Sequence, residues 1–153
     1  MTSATTEKLN SPQVRQFSVF LHNKVGALLE LVRLLDENNI IVLALSIAES
    51  SETAISRMIV SDPDRTAEIF RERDIPHSEC ELMVVELKEG PGDLSGVLAS
   101  LLMAEVNIHF SYPLLVRPRS RALLAIHLDD IECASSVLLG EGFKLLTQGD
   151  LSR

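Results

Sequence analysis

Two glycines stand where a strand-like segment runs into a helix-like one, and they are well suited to binding a small ligand. Gly26 lies in the segment QFSVFLHNKVGAL and Gly92 in ELMVVELKEGPGDL. A turn that ends in glycine leaves backbone N–H groups unpaired at a helix start, where they can donate to a carboxylate. Glycine has no Cβ, so a ligand can approach the main chain. His22, in the loop before Gly26, is a further candidate contact. A purely structural role in a tight turn stays open for both glycines.

The remaining histidines and the cysteines offer weaker chemistry. If a hairpin turns at Pro118, residues equally far before and after it pair, so His109 lies opposite His127. Two imidazoles at this distance could hold a metal ion. No third ligand stands at a fixed spacing, and Cys80 and Cys133 form neither a disulfide framework nor a metal-ligand spacing. No Ser-His-Asp or paired-carboxylate spacing occurs either. The sequence therefore predicts no catalytic residue, no metal site and no cofactor.

The elements around the two glycines recur at a fixed spacing. At an offset of 66 residues, the distance from Gly26 to Gly92, apolar residues overlay apolar residues. The matched pairs are Phe17 with Met83, Val19 with Val85, Leu21 with Leu87, Leu28 with Leu94, Val32 with Leu98, Leu35 with Leu101 and Ile40 with Val106. Such a period indicates two copies of one structural unit. We predict domains over 14–80 and 81–150, preceded by a flexible, polar arm over 1–13.

Within each copy the apolar periodicity predicts the order strand, helix, strand, strand, helix, strand. For the first copy we predict a strand over 14–21, a helix over 27–38, strands over 40–48 and 54–60, a helix capped by Asp62 and a strand from His77. For the second we predict a helix over 93–105, a hairpin of 107–116 with 121–128, a helix from Asp129 to Gly140 and a strand over 143–147. With right-handed crossovers this order gives an α+β fold of two ferredoxin-like βαββαβ units, each an antiparallel four-stranded sheet with two helices on one face.

The spacing of apolar residues also predicts which faces are buried. The helix over 93–105 is expected to turn one stripe inward, formed by Leu94, Val97, Leu98, Leu101 and Leu102. In the second hairpin the reflection about Pro118 pairs Ile108 with Leu128, Phe110 with Ile126, Tyr112 with Leu124 and Leu114 with Ala122.

The strand over 40–48 is apolar on both faces. Simple alternation places Val42, Ala44 and Ala48 on one face and Ile41, Leu43, Leu45 and Ile47 on the other. A sheet with helices on one side needs only one apolar face. We therefore expect a second copy of the chain to cover the other face, in a homodimer packed sheet to sheet.

Composition limits the partners and the compartment. The chain has 153 residues, 46% of them hydrophobic, and a net charge of −8. This charge disfavours nucleic-acid backbones and anionic membranes. No apolar run approaches the roughly 18–20 residues of a membrane span, and the first residues lack the apolar core of a secretory signal. A soluble cytoplasmic protein is expected.

Two other functions occur on the same topology. An acylphosphatase-like enzyme would need an Arg in the phosphate-binding loop after the first strand, and neither HNKVG nor KEGPG contains Arg. An RNA-binding module would show aromatic residues on an open sheet face, whereas aromatic residues are 4% of this chain. Both functions fit the sequence less well than a ligand-binding module.

The repeat, the strand order and the phrases VELKEGPGDLSGVLASLLMAEVNI and GEGFKLL resemble the ACT domain, and residues 14–150 resemble a tandem pair. The family pattern is an acidic residue or Asn, a variable residue, Pro, Gly, a variable residue and Leu, with Asn-Ile opening the second strand. The second copy matches it with Glu89, Pro91, Gly92, Leu94, Asn107 and Ile108. The first copy matches with Asn23, Gly26 and Leu28, but it has Val25 in place of Pro and Ile41-Val42 in place of Asn-Ile.

The resemblance implies a non-catalytic regulatory module that binds a free amino acid where the first loop of one domain meets the second strand of another. It implies that a ligand carboxylate accepts from backbone N–H groups of Gly90, Gly92, Asp93 and Leu94. Asn107 and the backbone of Ile108 would help to hold the ligand, and Glu89 would pair with its ammonium. The corresponding residues of the first copy are Asn23, Gly26, Ala27 and Leu28.

The resemblance also implies how a signal would leave the protein. Ligand binding at an interface would favour one assembly over another, or one state of a partner enzyme. The alternative is a ligand-free subunit that regulates an enzyme of amino-acid metabolism through protein contacts alone.

Overall fold

The structure is a computed structural model of the 153-residue chain and describes residues 13–22, 26–49 and 52–152. Its contacts divide the chain into two compact units, one formed mainly by residues 15–80 and the other mainly by residues 81–151, with Val14 grouped with the latter. The predicted arm lies outside the described residues except for Gln13, which begins the first strand. Among the described residues no helix is long and apolar enough to cross a membrane.

The first unit contains four strands and two helices. In chain order they are β1 Gln13–His22, α1 Ala27–Glu37, β2 Val42–Glu49, β3 Thr53–Val60, α2 Pro63–Glu72 and the beginning of β4 His77–Leu87. The strand order is β2-β3-β1-β4, and β3 pairs antiparallel with both β1 and β2. This is the split βαβ arrangement that the order of elements predicts.

The core of the first unit lies between its sheet and its two helices. Phe17 and Phe70 are fully buried at its centre, with their rings edge to face and their centroids 5.6 Å apart. Helix α1 turns Leu31 and Leu35 inward. Helix α2 starts as predicted, because Asp62 Oδ1 accepts from the backbone N–H of Arg65 at 3.1 Å.

The second unit repeats the arrangement. It contains the end of β4, α3 Leu94–Met103, β5 Ile108–Pro113, β6 Ala122–Leu128, α4 Ile131–Gly140, β7 Leu145–Leu146 and a short α5 Gln148–Leu151. The strand order is β5-β6-β4-β7, and these pairs are antiparallel. The predicted α+β fold of ferredoxin-like units is confirmed.

The end of the second unit differs from the prediction in two places. Asp130, not Asp129, caps α4, because Cys133 donates its backbone N–H to Asp130 Oδ1 at 2.9 Å. An N-cap side chain reaches the amide two or three residues further on, so the second of the two adjacent aspartates is placed to do so. The predicted strand over 143–147 is reduced to Leu145–Leu146, and α5 follows at once.

A β-bulge shifts the register of the second hairpin. Ile108 pairs with Leu128 as predicted, but the register changes between Ile108 and Phe110, so that Phe110 pairs with His127 and Tyr112 with Ala125. Beyond the bulge, Leu114 donates its N–H to the carbonyl of Leu123 at 3.0 Å. The predicted pairs after Ile108 are therefore wrong by one residue, because a bulge places two residues opposite one. The rings of His109 and His127 are nevertheless in contact, with centroids 5.1 Å apart.

A second bulge, between Val42 and Ala44, changes the faces of β2. Val42 and Leu45 both pack against the core of the first unit, although simple alternation places them on opposite faces. Leu43, Ala44 and Ile59 are 4%, 0% and 0% exposed in the single chain. Leu43 and Leu45 of the predicted outer face are thus covered within the chain, whereas Ile41 and Ile47 are 60% and 53% exposed, and the sheet-to-sheet homodimer stays a prediction.

The inward stripe of α3 is narrower than predicted. Val97 and Leu101 are buried in the core of the second unit. Leu94, Leu98 and Leu102 are 39%, 43% and 79% exposed. The stripe predicted from apolar spacing therefore combines two faces of the helix, of which only one contacts the core.

Candidate functional site

The Gly-Pro-Gly loop of the second unit folds onto its own backbone. Gly90–Asp93 form a 3-10 turn, and the N–H of Leu94 donates to the carbonyl of Pro91. The carboxylate of Asp93 turns back, so that its Oδ2 accepts from the N–H of Glu89 at 2.8 Å. The N–H of Leu94, predicted to face a ligand, is thus used within the loop, because the 3-10 bonding pattern closes on the residue three positions earlier.

Asn107 is held by a neighbour in the same unit. Its Nδ2 donates to Asp129 Oδ2 at 3.1 Å, and its backbone N–H donates to Asp129 Oδ1 at 3.2 Å. The next residue, Ile108, is 37% exposed. The contact ties the start of β5 to the end of β6 and leaves Oδ1 of Asn107 as the side-chain atom suited to accept from an ammonium group.

The start of α1 in the first unit has the geometry that a glycine permits. Gly26 precedes the helix at φ 93°, in the left-handed region, and no side chain among the residues that the structure describes caps the helix start. Ala27 is half-buried, and Leu28 packs against the core of the first unit. Asn23 and Val25, the other predicted residues of this loop, lie outside the described residues.

A groove runs beside α1 in the first unit, and we call it the α1 groove. Its volume is about 660 Å³, and it lies among the end of β1, helix α1 and the segment that leads from α2 into β4. The N–H of Phe20 donates to the carbonyl of Pro76 at 3.1 Å and holds that segment beside β1. The apolar residues of the groove are Phe20, Leu21, Leu31, Leu34, Ile75 and Pro76.

The α1 groove also carries charges of both signs. The cationic residues are Arg33 and Arg73, and the anionic ones are Glu30, Glu37 and Asp74. In the described part of the chain none of these five side chains forms an ion pair. An apolar surface with a few charged groups is the usual composition of a small-molecule site.

The sequence predicted only part of this groove. His22 and Ala27 line it, and both were identified beside the first glycine. Arg73 and Asp74 were not, because they follow α2 and reach β1 only through the fold. Pro76 gives the one local signal, since it ends the helical pattern and places the following strand.

A second cavity of the first unit, of about 500 Å³, is polar, and one of its two arginines is paired with carboxylates of the cavity. Arg15 donates to Asp64 Oδ1 at 2.6 Å and to Glu79 Oε1 at 2.6 Å. Burial lowers the pKa of Arg15, but its hydrogen bonds and charge attraction to Glu79 and Asp64 outweigh this and raise the pKa above its usual value. Because Arg15 already pairs with two carboxylates, it offers less to a ligand carboxylate than the arginines of the α1 groove do.

The described residues give no support to a metal centre. Among residues 13–22, 26–49 and 52–152, no group of three or more His, Cys, Asp or Glu side chains is placed to hold a metal ion. The contact between His109 and His127 therefore supplies two ring nitrogen donors without a third ligand of these types.

The fold places the chain in a class of proteins with two ferredoxin-like units in tandem. Each unit has a glycine-containing turn before its first helix. Residues 12–153 match the family described as an ACT domain pair. The chain belongs to that family.

Solved structures share the fold. Protein BT0572 from Bacteroides thetaiotaomicron is 30% identical to this chain, with a TM-score of 0.84 over 94% of this chain and 99% of the other. The ligand-free regulatory subunit of aspartate kinase from Thermus thermophilus is 13% identical, with a TM-score of 0.60 over 88% and 93%. The corresponding subunit from Thermus flavus is 12% identical, with a TM-score of 0.54 over 84% and 91%. The two kinase subunits are similar in fold, and no curated protein matches the sequence.

Proposed function

We propose that the chain is a non-catalytic regulatory module that binds a free amino acid in the α1 groove. The observation that supports the proposal is an apolar groove of about 660 Å³ with unpaired charges of both signs. An α-amino acid carries one carboxylate and one ammonium, so both kinds of charge are needed to hold it. The groove is built entirely from residues of the first unit.

Each part of the ligand has a suitable partner in the groove. Arg73 or Arg33 would donate to the carboxylate, since a guanidinium presents N–H groups in a fixed fork. Glu30, Glu37 or Asp74 would accept from the ammonium. Leu31 and Leu34 would contact the ligand side chain, which favours an amino acid with an apolar side chain.

The resemblance to solved structures suggests what the module regulates. Regulatory subunits of aspartate kinase share its fold, and such a subunit acts on an enzyme. We propose that this chain passes its signal to a partner enzyme of amino-acid metabolism, or through a change of assembly, in the cytoplasm. The net charge of −8 favours such a protein partner over nucleic acid.

A second location, at Gly90, Gly92 and Asn107, remains a proposal from the family resemblance. Within the described residues, the amides of Glu89 and Leu94 already donate to Asp93 and Pro91. Of the four amides that the resemblance implies for a ligand carboxylate, that of Leu94 is already used within the loop, and the Asp93 carboxylate adds a negative charge beside them. Both features make the loop the weaker of the two sites.

Calorimetric titration of the full chain with each of the twenty amino acids tests the proposal. We expect binding of at least one apolar amino acid. Arg73→Ala is expected to weaken binding by about 10-fold to 100-fold, because a hydrogen bond to a charged group contributes roughly 1.5–3 kcal/mol. Arg117→Ala is the matched control, since Arg117 is an exposed arginine outside the groove.

The other outcomes separate the two locations. Loss of binding in Gly92→Val, with Arg73→Ala unchanged, would move the site to the loop of the second unit. No heat with any amino acid would remove the sensing function and leave the ligand-free interaction subunit. For that alternative, a partner enzyme should be captured equally well with and without amino acids.

A further inference from the structure

We propose that the outward face of α3 is an interaction surface for a second copy of this chain. The surface consists of Leu94, Leu98, Leu102 and Met103, whose side chains are 39%, 43%, 79% and 84% exposed. Leu94, Leu98 and Leu102 follow one another at intervals of four residues, so they lie on one side of the helix. The proposal does not depend on amino-acid binding.

The equivalent helix of the first unit is charged over part of this surface. At the offset of 66 residues, Leu102 and Met103 of α3 correspond to Asp36 and Glu37 of α1, which are exposed, while Leu94 and Leu98 correspond to Leu28 and Val32. The fold therefore does not require apolar residues at Leu102 and Met103, the two most exposed positions of the surface. Exposed apolar clusters of this kind mark interaction sites.

Charge favours a second copy as the occupant. The chain has a net charge of −8, so most contacts between two copies bring like charges together. Helix α3 from Leu94 to Met103 contains no charged residue, and contact through it avoids this repulsion. A twofold interface uses the same surface on both copies, so an uncharged leucine surface is complementary to itself.

The shape and size of the surface also suit a helix pair. Ser95 and Ala99 are exposed among the leucines, and small side chains let two helices approach closely. A helix of ten residues is only about 15 Å long. Its outward face alone therefore covers less area than the roughly 800 Å² per partner that a stable interface buries. Helix α4 contacts α3 and exposes Leu139 at 54%, so it offers further apolar area.

Light scattering coupled to gel filtration tests the proposal with the full chain. We expect the mass of a dimer for the wild type at about 50 µM, and at least a 10-fold increase in the dissociation constant for the double variant Leu98→Glu/Leu102→Glu. The matched control is Leu29→Glu, because Leu29 is 52% exposed on α1. This control should remain dimeric.

A crosslinking experiment covers the case in which the double variant does not fold. Leu102→Cys should form a disulfide-linked dimer under mild oxidation, whereas Leu29→Cys should not. A monomeric wild type, or a double variant that folds and stays dimeric, would overturn the proposal. Equal crosslinking of the two cysteine variants would also overturn it.

Discussion

Phe70→Ala is expected to lower the free energy of unfolding of the first unit by about 3–5 kcal/mol, the usual cost of removing a buried aromatic ring. Phe70 is completely buried, and its ring lies 5.6 Å from that of Phe17 and 5.1 Å from that of His77. Alanine would leave a cavity between α2 and the sheet and would remove both edge-to-face contacts. Urea denaturation followed by circular dichroism measures the change.

The control for this substitution is Phe20→Ala, in the same unit. Phe20 is 44% exposed, so its loss should cost less than about 1.5 kcal/mol. Because the chain has two compact units, the two units can unfold in separate transitions, and Phe70→Ala should then move the transition of the first unit only. Equal losses for the two variants would show that the core is not centred on Phe70.

Arg121→Met is expected to destabilise the second unit by about 2–3 kcal/mol. Glu86 is 6% exposed, and its Oε1 accepts from Nη1 of Arg121 at 2.5 Å. Removing the arginine leaves a buried carboxylate without its counter-ion. The expected loss is below the roughly 3–5 kcal/mol of fully buried pairs, because the Arg121 side chain is 36% exposed.

A double-mutant cycle measured by urea denaturation isolates this ion pair. Glu86→Met/Arg121→Met should recover most of the lost stability, since replacing both charges with apolar groups removes the uncompensated carboxylate. Arg65→Met is the control, because the Arg65–Glu68 pair is 41% and 53% exposed and should contribute less than about 1 kcal/mol. If Arg121→Met lowers the free energy of unfolding no more than Arg65→Met does, the ion pair with Arg121 is not needed to keep Glu86 buried.

Some features follow from the sequence because they depend on neighbouring residues. The order of strands and helices follows from apolar spacing. The start of α2 follows from Asp62 and Pro63, which cap a helix by local geometry. The duplication follows from comparing the chain with itself at an offset of 66 residues. These features need no information about which distant segments come together.

Other features were decided by tertiary structure, because they depend on contacts between residues far apart in the chain. Alternation of side chains does not reveal where an extra residue enters a strand, so the bulges in β2 and β5 could not be predicted. Apolar spacing could not show that Val97 faces the core while Leu98 faces solvent, since only the packed sheet defines the inner side of α3. Arg73 reaches the α1 groove because the backbone N–H of Phe20 donates a hydrogen bond to the carbonyl of Pro76. This hydrogen bond joins residues far apart in the chain, so no local sequence pattern predicts it.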